Sequence, residues 1–216
     1  MKSKIDEYKS KINDMVISKT VRTNSMRVLI NMSLVLLLLT SACGQSSNKT
    51  KAEATNTSEV KSAVAKPEID IQAAILSDNI EAVKQHIETG TDLNKKYPMS
   101  GSTPLITAAS FGKNKIAQVL IDAGADLTAK NNDGATALHT AAFFCRVEVV
   151  QSLIDANADK TAKNNFGMTP RESVMGPFPE IKPIYEMLQQ QLGPIGLHID
   201  LTEIEKTRPV IAMMLQ

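Results

Sequence analysis

The stretch ALHTAAFFCRVEVV, residues 137–150, sets a histidine, His139, six residues before a cysteine, Cys145. A thiol needs an imidazole within hydrogen-bond reach to act as a nucleophile, and zinc accepts both residue types. Neither chemistry finds its remaining parts nearby. No aspartate or second cysteine stands at catalytic or zinc spacing around the pair, and His86 and His198 share no period with it. The pair therefore reads as packing, with no catalytic residue, no metal and no cofactor expected.

The segments that lead up to this stretch are of different kinds. Residues 26–42 (MRVLINMSLVLLLLTSA) hold a basic residue, Arg27, then a mostly apolar run from Val28 to Leu39, then small residues before Cys43. A dozen residues at roughly 1.5 Å each cannot cross a hydrocarbon core of about 30 Å, so the run suits the apolar region of a secretory signal. LTSAC resembles a bacterial lipobox, although Thr40 stands where leucine is commonest. That resemblance implies a lipid on Cys43, an outer-membrane position facing the periplasm, and membrane attachment through the anchor. Residues 1–25 are an unusual extension ahead of such a signal, and Met1 and Met26 both stand as possible starts. Residues 43–66 contain almost no large apolar side chain and cannot offset their ordering entropy. They read as a flexible tether with a span of roughly 25–30 Å.

Charge narrows the class further. Residues 1–42 carry seven Lys/Arg against three Asp/Glu, and the remainder carries 17 against 20. A mildly acidic body without a basic stripe is not a nucleic-acid binder. Two cysteines allow at most one disulfide, so this is no disulfide-built scaffold.

The body repeats. Gly101, Gly134 and Gly167 lie 33 residues apart, and residues 99–131 laid over 132–164 agree at 18 of 33 positions. The shared frame holds G-x-T-x-L-x-T-A-A-x-F and L-I-D-A-x-A-D-x-T-A-K-N. With GSTPLITAA, GATALHTAA and GMTP at this period, the chain resembles ankyrin-repeat proteins, in which a tight turn precedes two antiparallel helices. The residues suit that role. Thr103 and Thr169 can cap a first helix, and Pro104 and Pro170 open it where the N–H is unpaired anyway. Paired alanines permit close helix approach. Ile116, Val119 and Leu120, then Val149, Leu153 and Ile154, form a buried face at helical spacing. Gly124 ends one second helix and Asn157 the next. His139 then takes the T-x-L-H position of the motif, and Cys145 aligns with Gly112.

The expected fold is all-α: a short ankyrin-type α-solenoid of helix-turn-helix repeats over 67–192, about four repeats with the first and last degenerate. An irregular C-terminal tail, 193–216, follows. Pro177, Pro179 and Pro183 interrupt the last repeat, which resumes as a helix at IYEMLQQQL. In the tail, Ile195, Leu197, Ile199 and Leu201 alternate as in a short strand, and the rival reading makes Asp200 the cap of a final helix with Glu203 completing a capping box.

The resemblance implies binding through turn fingers and exposed first-helix faces. Carried onto this sequence, the partner-binding surface is Tyr97, Met99, Ser110, Phe111, Asn132, Asp133, Phe143, Phe144, Asn165 and Phe166. Phe111 and Phe144 occupy one repeat position and would form an aromatic ladder, of the kind binding hot spots favour, or else pack on the next helix. The Asn pairs in the KNN fingers suit tight turns. The expected function is a non-catalytic module, monomeric, binding an unidentified protein of the cell envelope. An inhibitor or immunity-like protein masking an envelope target is the alternative, and an enzyme using His198 and Asp200 of the tail is a further one.

Overall fold

The computed structural model describes residues 67–216, and the secondary structure of that part is helical. The readings of residues 1–25, of the signal at 26–42, and of Cys43 with its tether lie outside the described residues.

Three helix pairs stack in order: α1 (Ile71–Leu76) with α2 (Ile80–Glu88), α3 (Pro104–Phe111) with α4 (Asn114–Asp122), and α5 (Ala137–Phe143) with α6 (Val147–Asp155). First helices pack on first helices and second on second. Ala108, Ala109, Ala141 and Ala142 are completely buried between them, which is why larger residues do not occupy those places. Ile116, Leu120, Val149 and Leu153 fill the space beneath. Each such side chain contributes roughly 1.5–3 kcal/mol by leaving water.

The helices begin where the sequence supplies caps. The Thr103 and Thr136 hydroxyls accept from the amides of Ile106 and His139, both at 3.4 Å. The first pair lacks Thr-Pro, and Asp70 replaces it, accepting from Gln72 N at 2.8 Å and Ala73 N at 3.0 Å. Second helices α2, α4 and α6 are followed by left-handed residues: Gly90, Gly124, and Asn157 at φ 60°.

The fourth unit departs from the expected boundaries. Thr169 and Glu172 form a reciprocal cap (Thr169 N to Glu172 Oε2, 2.8 Å; Glu172 N to Thr169 Oγ1, 3.3 Å). The helix they start, α7 (Glu172–Met175), is a single turn beside α5. Its partner is not the next helix along the chain. α8 (Phe178–Leu192) leaves the stack, followed by a 3-10 turn (Gly193–Ile195) and a short extended passage. α9 (Leu201–Met214) then returns to pack on α6 and α7, placing Ile211 and Leu215 in the main core. The fourth repeat is thus split by an insertion over 176–200, and the boundary at 193 does not divide the core.

Two expectations about this region are corrected. The strand read over 195–201 gives way to the rival reading: Asp200 caps a helix that begins at Leu201, accepting from Thr202 N at 2.9 Å and Glu203 N at 3.1 Å. Glu203 accepts the Thr207 hydroxyl, so only half of the anticipated capping box is seen. Of the alternation from Ile195 to Leu201, Ile195 falls in the 3-10 turn and Leu201 in α9, while in the extended stretch between them Leu197 and Ile199 point inward and His198 outward. The second correction concerns α8, which starts at Phe178 and not at Ile184. Pro179 lies in its first turn, and the bond that Pro183 cannot make would have gone to the Pro179 carbonyl, so one turn is weakened and the helix continues.

The turn glycines supply a test. Gly124 and Gly134 both have positive φ, of 80° and 70°. A Cβ on Gly124 meets nothing within 4 Å, whereas on Gly134 it collides with the Asn165 side chain and backbone. Gly124→Ala should lower unfolding stability by about 1–2 kcal/mol from backbone strain. Gly134→Ala should lower it further, by urea denaturation of the two variants in parallel.

Candidate protein-binding surface

Between the pairs the chain forms projecting turns. Within the second and third, an asparagine organises the backbone: Asn131 Oδ1 accepts from Asp133 N and Ala135 N, both at 2.9 Å. Asn164 Oδ1 does the same for Phe166 N at 3.0 Å and Met168 N at 3.1 Å. The next asparagine stitches one finger to its neighbour. Asn132 donates its side-chain amide to the Met99 carbonyl (3.0 Å) and its backbone amide to Ser100 (3.0 Å). Asn165 repeats this toward the Asn132 carbonyl (3.0 Å) and Asp133 (2.9 Å). Lys130 Nζ reaches the Lys163 carbonyl at 2.9 Å. The side-chain amides of Asn132 and Asn165 therefore serve the scaffold.

The other expected surface residues divide into two groups. Met99 is 75% exposed at the first finger tip. Asp133 and Phe166 are half-buried in the second and third fingers. Tyr97 does not project freely: it is half-buried, and burial, with Asp70 nearby, raises its phenol pKa to about 12. Ser110 donates its hydroxyl to the Ile106 carbonyl at 2.9 Å.

Phe111, Phe143 and Phe144 do not form an open aromatic ladder. Phe144 is 8% exposed and joins a cluster with Tyr185, Leu197, Ile199 and Ile204, against which Phe111 and Phe143 pack. Phe143 and Phe144 meet edge to face at 5.1 Å, and Tyr185 lies 4.8 Å from Phe143. The insertion roofs this face. Its polar anchors are Tyr185 OH to the Phe143 carbonyl at 2.6 Å and Arg146 Nη2 to the His198 carbonyl at 2.9 Å. Arg208, 3% exposed, donates to Tyr185 OH at 3.2 Å and to the Gly176 carbonyl at 2.8 Å. None of Tyr185, Arg146 or Arg208 was singled out from sequence, although Phe178, Ile181, Tyr185, Leu188 and Leu192 already carry a helical stripe.

The histidine and cysteine of the opening stretch are engaged separately. The His139 ring accepts at Nδ1 from Thr136 N (3.3 Å) and contacts its hydroxyl at 2.9 Å, while Nε2 lies 3.0 Å from the Met168 carbonyl. A neutral ring with its proton on Nε2 satisfies these contacts. Burial lowers its pKa, against the Met168 carbonyl, which raises it. Cys145 takes a left-handed φ of 53° where Gly112 stands in the preceding repeat, and its thiol faces the Ile204 carbonyl at 3.8 Å. Burial pushes that thiol up to about 11, in spite of Arg208 and Arg146 close by. Among the described residues, no group of three or more His, Cys, Asp and Glu could hold a metal ion.

Comparison with known proteins bears on the repeat type. The family model for ankyrin repeats matches residues 71–164 in three copies. Protein phosphatase 1 regulatory subunit 27 of Homo sapiens and that of Mus musculus are each 42% identical to this chain over 64 residues, 30% of its length. The match spans 41% of the length of those relatives. Among solved structures, the crystal structure of the ankyrin repeat domain of Bcl-3, a member of the IkappaB protein family, is similar at a TM-score of 0.47 and 27% identity, over 53% of this chain and 50% of that one. The insertion and α9 lie beyond the matched repeats.

The buried histidine generates a pH dependence. Because the folded pKa of His139 lies below its ordinary value of 6.5, the unfolded chain binds the proton first, and stability is full above that value and falls as pH drops through it. Denaturant unfolding between pH 7 and pH 5 should show this loss, and His139→Gln should show a shallower one.

Proposed function

We propose that this chain is a non-catalytic protein-binding module held at a bacterial membrane by a lipid on Cys43, taking an envelope or periplasmic partner on its turn fingers. The observation that carries the binding part is the stitched finger ladder. Backbone amides and asparagine side chains fix three fingers in one register, so the edge bearing Met99, Asp133 and Phe166 is ordered before a partner arrives. Preorganisation of this kind lowers the entropic cost of association. The ankyrin repeats, and the likeness to a phosphatase regulatory subunit, support a protein–protein interaction role in general. The anchor and the compartment rest on the sequence from Met26 to Lys66.

An inhibitor or immunity-like protein that masks an envelope target would use the same edge, and differs only in what capture does to the partner. The enzyme reading is the weaker one, because the Asp200 carboxylate it would use caps α9, accepting from Thr202 N and Glu203 N.

Two measurements test the proposal. Cys43→Ser should move the protein from the membrane fraction to the soluble fraction, and retention in the membrane would remove the lipid anchor from the proposal. A photo-crosslinking amino acid at Met99, at native expression level, should capture one dominant envelope protein. Asp133→Ala with Phe166→Ala should reduce that capture by roughly tenfold. Capture of lipid, wall fragments or unrelated neighbours alone would overturn the finger edge as the binding surface.

A further inference from the structure

The insertion behaves as a ligand that happens to be covalently attached. α8 presents Phe178, Ile181, Tyr185, Leu188 and Leu192, spaced 3-4-3-4, so that all five fall on one face. That face lies in the aromatic cluster around Phe144, while Lys182, Pro183, Glu186, Gln190 and Gln191 face solvent. An amphipathic helix resting by its apolar stripe on an aromatic surface is a recurring mode of recognition between separate chains.

Three features make α8 separable from the solenoid. Its apolar contacts gather in a second cluster, which meets the main core at Cys145 and takes Ile204 from α9. The fourth repeat is closed without it, since α9 contributes Ile211 and Leu215 to the main core and is tied to α7 and its approach by Arg171 Nε to the Ala212 carbonyl at 3.1 Å. The connections at its two ends are Gly176–Pro177 and the Gly193–Gly196 turn, with Gly196 at φ 97°, and α9 begins on its own cap, Asp200.

We infer that the face formed by Phe111, Phe143 and Phe144 is a receptor for an amphipathic helix, filled here in cis by α8. The partner it fits is a helix carrying the same aromatic and aliphatic stripe. This inference rests on the protein-binding reading above and names a second class of occupant for the module. The cis helix sets the threshold: an incoming helix must outcompete one held at high effective concentration by its own chain.

The probe is a fluorescein-labelled peptide of residues 176–200, titrated against the full chain in detergent and read by anisotropy. Tyr185→Ala removes the ring that sits on Phe143 and so weakens the cis occupant. It should bind the peptide at least about tenfold tighter than the unaltered chain, and adding Phe144→Ala should abolish that gain. Amide exchange on the same samples should show α8 opening at least about tenfold faster in Tyr185→Ala, with α4 and α6 unchanged. Leu197→Ala, which loosens the insertion from its other end, replaces Tyr185→Ala if the latter disturbs α4 or α6. Two results would overturn the inference: no gain in peptide binding by a variant whose α8 exchanges rapidly, or α8 exchanging only in step with α4, α6 and α9. Crosslinking from Met99 is read on the unaltered chain without the peptide, so loss of the helix receptor and loss of the finger edge are told apart.

Discussion

A pair of helices six to nine residues long cannot bury both of its sides, and this constraint shapes every other feature of the molecule. Each pair has one face against the previous pair and one against the next, so stability comes from stacking more than from any single unit. The stacking distance is set by alanine: Ala108–Ala109 and Ala141–Ala142 are completely buried and leave no room for a larger residue. Once the helices are that close, the fingers also come within hydrogen-bond reach, and Asn132 and Asn165 bridge them at 3.0 Å. The glycines behind those asparagines follow from the same approach, because a Cβ on Gly101 or Gly134 would occupy the asparagine's place.

Stacking leaves the last repeat with an uncovered side, and this chain closes it in an unusual order. The first helix of the fourth unit is one turn long, and its partner arrives only after the 176–200 insertion. α9 is a modest cap. Ile204, Thr207, Arg208 and Ile211 face inward, while Val210 and Met213 remain 42% and 61% exposed. Arg208 is buried among neutral oxygens of Tyr185 and Gly176. Its guanidinium joins the capping helix to both the root and the middle of the insertion, so one side chain coordinates two elements with different roles. A buried cation held by dipoles is costly to desolvate and specific in geometry, which suits a residue whose task is placement.

The polar residues of the core follow a similar logic of satisfied contacts. His139 ties the start of α5 to the following finger through the Met168 carbonyl, twenty-nine residues away. His86 does comparable work in the first unit, with Ile69 at 2.8 Å and Thr91 at 3.0 Å. Cys145 accepts a left-handed backbone, which favours glycine, and in return its side chain lies under the arriving α9. Residues that resemble catalytic parts in the linear chain are thus the joints between repeats and between the solenoid and its insertion.

Much of the solenoid was legible from residue order alone, because its determinants are local or periodic. The 33-residue period, Thr103 and Thr169 as helix caps, the left-handed Asn157 opposite Gly124, and the buried stripes of α4 and α6 all follow from propensity and spacing. The assignment of His139 to packing follows from its place at the T-x-L-H position that the resemblance supplies. The tail was ambiguous for a physical reason: the alternation from Ile195 to Leu201 does not by itself separate a strand from an extended approach to a helix, and the Asp200 cap prevailed once α9 had a core to enter. What the tertiary structure alone decided is which apolar faces meet. Sequence places Phe111 and Phe144 at one repeat position, but burial depends on a helix that leaves the stack at Phe178 and folds back. Local rules specify that α8 has an apolar face; only the packed chain specifies that this face closes over the aromatic surface of its own repeats.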